Sequence, residues 1–412
     1  MNSAKTNTAP KHINWFILFV LSLSYFAVNL SNKGFLSILP FLKDEFTLTG
    51  FQIGLYQSLY FLSATAVAIL SGRIVDIIGS KKGIVIGVAC VGIFMLFHSV
   101  AANYSFILFF AFLTGIGFSI ITPSINTANM DWAPLEKRAL FMGLLQSGSC
   151  IGSFLGASLF PVITGLLNWR KASFMAGCIA IIISLIIYRY YYDINNEDYH
   201  EKKRRIKSTN LKDELFRLLK NRNFLAVCIL GFVFGSTLGS LSSYFALYLN
   251  QDLGLDKTLC GLGLGLLQLG GMIGRPGWGL FCDKFINGDR RKGLFIIGIS
   301  IFAFCSIFAL FTYLNVNIIY IFLLSFLLGI PVSGWFALFF TSITELADKK
   351  QIGIASGLSL VFIRTGVVLF PPFFGLLSDL SGSFLFSWIL ISVFVICSSF
   401  IFFFLTNNKE ND

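Results

Sequence analysis

Three basic residues lie inside apolar stretches of this chain, where an uncompensated charge is unfavourable. Arg275 belongs to QLGGMIGRPGWGLFCDK, residues 268–284, and precedes by eight residues the charged loop that begins at Asp283. At about 1.5 Å per helical residue, its guanidinium is expected roughly 12 Å inside a bilayer. An arginine at that depth on an isolated helix costs at least about 2.5–3.5 kcal/mol. The sequence therefore predicts a compensating partner for Arg275.

The other two bases of this kind are Arg364 in SLVFIRTGVV and Lys33, which is nearer the end of the first apolar stretch. No Asp or Glu lies well inside such a stretch. The acidic residues nearest to them fall at the ends, namely Asp44, Asp131, Asp252, Asp283, Glu345 and Asp379. Planar guanidinium groups match carboxylates and phosphates in geometry. We therefore predict that a bound anion neutralises Arg275 and Arg364, with Lys33 as a third candidate.

Purely structural roles stay open for each base. Arg275 is also compatible with hydrogen bonds to backbone carbonyls near Pro276, and Arg364 with polar neighbours such as Ser359. Lys33 is compatible with an extended side chain that reaches the membrane surface.

Polar residues complete the predicted site. Gln268 is seven residues before Arg275 and therefore lies on the same helical face. Each further candidate is also compatible with a helix–helix hydrogen bond. These candidates for substrate contact are Tyr25, Asn29, Asn32, Gln57, Tyr60, Asn126, Gln146, Ser147, Ser240, Tyr244, Ser333 and Trp335. His98, by contrast, is expected at the membrane interface.

The composition identifies the elements that must position these residues. Of 412 residues, 56% are hydrophobic and 12% charged, which excludes a soluble protein of this size and indicates a polytopic membrane protein. Helices satisfy their own backbone hydrogen bonds in lipid, so we predict an all-α fold with twelve transmembrane helices. The corresponding apolar runs are 14–40, 51–72, 83–102, 105–128, 139–166, 172–192, 223–250, 257–282, 293–314, 317–343, 354–378 and 382–405.

The distribution of charge predicts the topology. Basic residues fall mostly in alternate loops, so the net charge of +11 indicates orientation rather than a nucleic-acid surface. Both termini are expected to be cytoplasmic, in an integral protein of the plasma (inner) membrane. Residues 193–222 form a cytoplasmic linker with a basic run at 202–205 and a short amphipathic helix. This linker separates two six-helix bundles, at 1–192 and 223–412.

Chemistry other than transport finds little support. The chain has no GxxxxGK[ST] phosphate-binding loop, and its eight cysteines form neither a CxxC nor a Cys/His metal spacing. We therefore expect no enzyme activity, no cofactor and no metal. The expected partners are a small anionic substrate and the lipid bilayer, and we expect a monomer that binds no nucleic acid.

The two halves are related in sequence. Gly72-x-x-x-Asp76 recurs as Gly279-x-x-x-Asp283 at an offset of 207. Parallel repeats are typical of a transporter architecture whose two bundles are related by pseudo-two-fold symmetry. A second offset, of 214, maps Gly115, Gly143 and Gly152 onto Gly329, Gly357 and Gly366.

The segment GRIVDIIGSKK at 72–82, with a second copy GLFCDKFINGDRRK at 279–292, resembles the loop signature G-x-x-x-D-[RK]-x-G-[RK]-[RK] of the major facilitator superfamily. Ile77 departs from the signature, where a base is usual. The resemblance implies alternating access; loop charges that serve topology alone are the alternative. It also implies a gating role for Gly72, Asp76, Lys81, Lys82, Gly279, Asp283, Arg290 and Arg291.

Residues 274–279, Gly-Arg-Pro-x-x-Gly, are similar to the eighth helix of monocarboxylate carriers and oxalate/formate exchangers. In those groups the arginine binds the substrate carboxylate, and the exchangers add a base in helix eleven, where Arg364 falls. The resemblance therefore implies a carboxylate substrate. The fifth helix lacks the Gly-Pro signature of drug exporters, which argues against multidrug efflux.

Together these observations predict a secondary active transporter that moves a small organic anion, a mono- or dicarboxylate, by symport or antiport. The first alternative is an organophosphate or inorganic-anion transporter of the same fold. The others are a non-transporting sensor and an exporter of neutral or cationic compounds, although the intramembrane acids expected of such an exporter are missing.

Overall fold

A computed structural model describes residues 14–134, 138–193, 211–347 and 352–406, and all regular secondary structure within these ranges is helical. The first half contains α1 (Trp15–Ser37), α2 (Leu39–Phe46), α3 (Gly50–Ala66), α4 (Ala68–Ser99), α5 (Tyr104–Trp132), α6 (Arg138–Leu166) and α7 (Trp169–Tyr190). Helix α8 (Leu211–Lys220) lies in the connection between the halves. The second half contains α9 (Arg222–Gln251), α10 (Lys257–Phe285), α11 (Arg290–Phe311), α12 (Ile318–Gly334), α13 (Phe336–Leu346), α14 (Ile352–Ser381) and α15 (Leu385–Leu405).

The predicted fold class, an all-α bundle with twelve crossings, is confirmed. Within the described ranges, ten helical segments are long and apolar enough to cross a membrane, with α12 and α13 counted together. The other two crossings are α3, which continues into the start of α4, and α10. The 17 residues of α3 are too few on their own, and α10 carries many glycines together with Arg275.

The connection between the second and third crossings is shorter than the predicted loop. Residues on both sides of it are helical, and α4 consists of two helices that meet at Gly79, which leaves helical geometry at φ 87° and ψ 165°. Glycine adopts this conformation without a steric penalty. Asp193 caps the second of these helices, because its carboxylate accepts hydrogen bonds from the Ser80 hydroxyl (2.5 Å) and the Lys81 amide (2.8 Å).

Close helix packing repeats between the halves. A Cβ added at Gly152 of α6 would lie 2.3 Å from the Phe26 carbonyl oxygen of α1. At the position 214 residues later, a Cβ at Gly366 of α14 would lie 2.2 Å from the Phe232 carbonyl oxygen of α9. Small residues allow two membrane helices to approach backbone to backbone. The related glycines therefore make the same contact in each half.

The expected position of His98 at the membrane interface stays a prediction; its side chain is packed among the helices, one residue before the end of α4 at Ser99. It is fully buried, its Nδ1 is 2.6 Å from the Phe94 carbonyl oxygen, and its ring meets Phe35 and Tyr56 edge-on. Aromatic neighbours on α1 and α3 hold it in the helix packing.

The short helix α8 lies within the predicted linker, residues 193–222. Leu218 packs into the core, whereas Phe216 is 60% exposed and lies against the Lys220 ammonium. The basic run at 202–205 lies outside the described residues.

Candidate functional site

Two interfaces join the halves, and each ends at one of the predicted arginines. In the first, α10 packs on α6. A Cβ at Gly261 would lie 2.3 Å from the Pro161 ring, and one at Gly265 would lie 2.2 Å from the Ser158 hydroxyl. Further along α10, the Arg275 Nη1 donates to the Cys150 thiol at 3.5 Å. The glycines thus bring the helices together, and Arg275 contacts α6 further along the same interface.

The second interface, between α3 and α14, is arranged in the same way, with close glycine packing at one end and an arginine contact further along. A Cβ at Gly50 would lie 2.5 Å from the Gly375 carbonyl oxygen, and the Ser58 hydroxyl donates to the Val368 carbonyl at 2.5 Å. The Arg364 Nη1 then donates to the Ala64 carbonyl at 3.5 Å, a long hydrogen bond.

The helices separate beyond the two arginines. A Cβ added at any of several glycines would meet nothing within 4 Å; these include Gly72, Gly143, Gly277, Gly279 and Gly357. A cavity of about 360 Å³ opens there, lined by Gly72, Asp76, Pro123, Asn126, Thr127, Asn129 and Met130. We call this side of the bundle the open end and the tightly packed side, at Gly50 and Gly261, the closed end. Arg275 and Arg364 lie at the boundary between them.

The bases at this boundary lack acidic partners. In the described part of the chain, no carboxylate lies within 4.0 Å of Arg275, Arg364 or Lys33. The Lys33 ammonium instead donates to the Ser242 hydroxyl of α9 at 2.8 Å. A thiol, a distant carbonyl and a hydroxyl are weak partners for three cations. The arrangement is thus an electropositive centre between the two halves.

The contacts of Lys33 and Arg364 differ from those expected if each had a purely structural role. Lys33 is half-buried and directed at α9 rather than at a membrane surface. The Ser359 hydroxyl donates to the Ser356 carbonyl within its own helix. Arg364 donates to the Ala64 carbonyl of α3. Both arginines reach across the interface to the other half.

Several predicted contact residues lie in the layer next to the arginines, on the closed-end side. Gln57 precedes Ala64 by seven residues on α3, and Gln268 precedes Arg275 by seven residues on α10. Both are buried, as are Tyr60 and Asn32, the residue before Lys33.

Other predicted contact residues lie elsewhere. The Tyr244 hydroxyl donates to the Gly50 carbonyl (2.6 Å) at the closed end, and Trp335 is buried between Phe234 and Phe336. Asn29 donates to the Tyr25 carbonyl one turn earlier in α1. Towards the open end, Asn126 lines the cavity and Gln146 is exposed.

The predicted gating residues lie at the open end. Arg290 pairs with Asp283 at 2.6 Å and approaches Glu345 at 3.6 Å. Arg291 donates instead to the Phe403 carbonyl of α15 (2.8 Å from Nε). Lys82 is exposed, and the Lys81 ammonium lies over the Tyr188 ring.

The closed end holds a set of contacts that the sequence does not reveal. The Asp379 carboxylate of α14 accepts from the Gly50 amide (2.6 Å) and the Phe51 amide (3.0 Å), so it caps helix α3 of the other half. Beside it, Lys257 pairs with Asp44. Asp379 was recognisable only as an acid at a helix end, and no sequence spacing relates it to Gly50.

Two further polar groups at the closed end have shifted pKa values. Burial lowers the pKa of the Lys43 ammonium, an effect that Asp379, Asp44 and Asp252 oppose, and Lys43 donates to the Gln251 side chain at 2.9 Å. Burial raises the pKa of Asp252, although hydrogen bonds from Ser383 and Phe384 oppose the shift. The closed end thus combines packed glycines with partly desolvated polar contacts.

The fold and the central site define a membrane transporter of two related halves. A family model described as Major Facilitator Superfamily matches residues 21–288 and 239–412. The chain belongs to this superfamily, as its loop motifs suggested.

Individual relatives are distant. The chain is 22% identical to a hexuronate transporter of Bacillus subtilis (strain 168), over 87% of this chain and 86% of that protein. It is 23% identical to a probable sulfoacetate transporter of Cupriavidus necator, over 93% of each. Among solved structures, a bacterial homologue of the human lysosomal transporter Spinster, in an inward-facing and occupied conformation, superimposes with a TM-score of 0.79. That match has 17% identity and covers 96% of this chain and 97% of the other, and it shows the shared fold.

Proposed function

We propose that this protein is a secondary active transporter of a small organic anion, a mono- or dicarboxylate, and that Arg275 and Arg364 bind the anionic group. The observation that carries the proposal is their shared placement. Both guanidinium groups lie where the two halves separate, and neither has a carboxylate within 4.0 Å among the described residues. Two like charges at one boundary repel, so a bound anion stabilises both.

The contacts of the two arginines favour a carboxylate ligand. The bonds to Cys150 and to the Ala64 carbonyl are both 3.5 Å long and leave most of each guanidinium fork unused. A carboxylate accepts paired hydrogen bonds from such a fork. The hexuronate transporter and the probable sulfoacetate transporter to which this chain is similar are also named for carboxylate-bearing anions.

Alternating access follows from the position of the arginines. Each arginine lies on the C-terminal half and contacts the N-terminal half, so an anion bound between them contacts both halves through its partners. Rocking of residues 1–192 against 223–412 would then open the closed end and close the open end around one site. We place the binding site at the pivot of that motion.

We assign the open end to the cytoplasm. Lys81, Lys82, Arg290 and Arg291 lie there, and basic loops favour the cytoplasmic side. On this assignment the described conformation is inward-open, both termini are cytoplasmic and the membrane is the plasma (inner) membrane. With no acid at the site, we propose anion exchange, or symport in which the substrate or Lys33 carries the proton.

Uptake into proteoliposomes tests the proposal. Arg275→Gln and Arg364→Gln should each lower the apparent affinity for a carboxylate at least about 30-fold, because each removes a charged hydrogen-bond donor. Arg275→Lys should retain part of the affinity, since it keeps the charge and loses the fork. Competition with phosphate esters in the same assay separates carboxylate from organophosphate transport.

Arg189→Gln is the matched control. Arg189 is exposed at the end of α7, where its guanidinium lies 5.6 Å from the Tyr190 ring, far along the chain from either interface. Uptake by this variant should equal that of the wild type. Unchanged carboxylate affinity in both Arg275→Gln and Arg364→Gln would refute the anion site.

A further inference from the structure

Next to the arginines, on the closed-end side, lies a layer of buried neutral side chains whose polar atoms have no partner. The Asn32 Nδ2, Gln57 Oε1, Ser240 Oγ and Gln268 Nε2 atoms have no hydrogen-bond partner in the described part of the protein. Their residues are 7%, 1%, 0% and 9% exposed. A buried polar group without a partner is unfavourable by about 1–3 kcal/mol, so four of them in one layer indicate a ligand.

The four residues share one depth in the bundle. Gln57 and Gln268 each stand seven residues on the closed-end side of an arginine contact, which is about 10 Å along a helix. Asn32 adjoins Lys33, and Lys33 donates to Ser242, two residues after Ser240 on α9. We call Asn32, Gln57, Ser240 and Gln268 the neutral layer.

Contacts between the helices bring together the four helices that carry the neutral layer. The bond from Lys33 to Ser242 joins α1 to α9, and the bond from Tyr244 to Gly50 joins α9 to α3. Helix α10, which carries Gln268, packs against both α1 and α9. All four helices that carry the layer therefore meet on the closed-end side of the arginines.

The unpartnered atoms include both donors and acceptors. The amide nitrogens of Asn32 and Gln268 donate, the Gln57 oxygen accepts, and the Ser240 hydroxyl does either. A carboxylate only accepts hydrogen bonds, and an alkyl chain does neither. A hydroxyl group both donates and accepts, and so satisfies every member of the layer.

We propose that the transported anion is a polyhydroxylated carboxylate, bound with its carboxylate on Arg275 and Arg364 and its hydroxyl groups on the neutral layer. This inference rests on the anion site proposed above and adds to it a substrate class and an orientation. The hydroxylated part faces the closed end. Gln57 and Gln268 are then residues that determine specificity.

Binding of three matched compounds to the purified full-length protein tests the inference. D-Gluconate carries a carboxylate and hydroxyl groups, hexanoate carries the carboxylate alone, and sorbitol carries the hydroxyl groups alone. Gluconate should bind at least about ten-fold more tightly than hexanoate, and sorbitol should bind most weakly. Equal affinity for gluconate and hexanoate, or no binding of gluconate, would overturn the inference.

Variants then locate the discrimination. Gln268→Met and Gln57→Met keep the approximate side-chain shape and remove the polar atoms. Each should weaken gluconate binding roughly ten-fold and leave hexanoate binding unchanged, and retained hexanoate binding shows that the variant is folded. An equal loss for both compounds would contradict a hydroxyl-binding role.

Different results would refute the anion site and the hydroxyl-binding role of the neutral layer. If Arg275→Gln weakens both carboxylates while gluconate and hexanoate bind equally well, the anion site stands and the neutral layer plays no part in selection. If sorbitol binds as tightly as gluconate, the anion site itself fails.

Discussion

The closed and open ends of the same two interfaces differ in what lies opposite their glycines. At the closed end, Gly50, Gly54 and Gly261 each stand where a Cβ would lie 2.5 Å or less from an atom of the other half. At the open end, Gly72 and Gly279 face nothing within 4 Å. Helix pairs built from the same kinds of residue are thus in contact at one end and apart at the other.

Polar contacts between the halves accompany the close glycine packing at the closed end. Close backbone approach at the closed end is supported by the Asp379 cap on α3 and by the pairing of Lys257 with Asp44. At the open end, Arg290 pairs with Asp283 and with Glu345, and all three residues belong to the C-terminal half. The glycines at the open end are suited to an equally close contact in a conformation that closes this end.

The largest expected effect comes from filling a glycine at the closed end. Gly54→Val should lower the apparent melting temperature and abolish transport, because its Cβ would lie 2.5 Å from both the Pro372 nitrogen and the Tyr244 hydroxyl. Overpacking of this kind is unfavourable by about 1–3 kcal/mol. Thermal denaturation of the purified variant measures the change.

Gly72→Val is the matched variant at the open end. It should leave the melting temperature unchanged, because nothing lies within 4 Å of the added Cβ. It should nevertheless slow transport, since the closing of that end would meet the new side chain. Equal destabilisation by the two substitutions would contradict the contrast between the ends.

A smaller effect is expected from removing the cap that crosses between the halves. Asp379→Ala should destabilise the closed end by about 1 kcal/mol, because the Gly50 and Phe51 amides lose their acceptor. A cysteine placed at Ser58, in a Cys397→Ser background, should then react faster with a membrane-impermeant maleimide added on the closed-end side.

Asp256→Ala provides the control for this cap. Asp256 lies at the same end but caps its own helix, by accepting from the Thr258 amide at 2.8 Å. Its removal should leave the reactivity of the Ser58 cysteine unchanged. Faster labelling in both variants would indicate general loosening rather than release of a contact between the halves.

The smallest expected effect belongs to the pair of Lys257 and Asp44. The Asp44 side chain is 64% exposed, so the pair should contribute at most about 1 kcal/mol and weaken as salt is raised. A double-mutant cycle with Lys257→Gln and Asp44→Asn, measured by melting temperature at low and high salt, tests this. A large coupling that salt does not change would show that the pair is a principal part of the closed end.

The sequence was sufficient for features that depend on composition and periodicity. Long apolar runs determine the crossings, and the repeated glycines at 152 and 366 make equivalent contacts because the halves share one fold. The placement of Arg275 and Arg364 between the halves also agrees with their depth in apolar stretches. These features depend on residues close together in the chain or related by the repeat.

Features that depend on contacts between distant segments were beyond the sequence. The residues between the apolar runs 51–72 and 83–102 were predicted as a loop, but the break in the helices is confined to Gly79, and Asp193, more than a hundred residues later, caps the helix that follows. Tyr244 was assigned to the central site by its polarity and lies at the closed end. Which helix face meets which partner is decided by tertiary packing.

The most direct test of the central claim is a double-mutant cycle on equilibrium binding of a carboxylate. The purified wild type, Arg275→Gln, Arg364→Gln and the double variant are compared. If both arginines hold one anion, each single substitution should weaken binding at least about 30-fold, and the double variant should lose much less than the product of the two. Unchanged affinity in the single variants, or losses that multiply in full, would contradict a shared anion site.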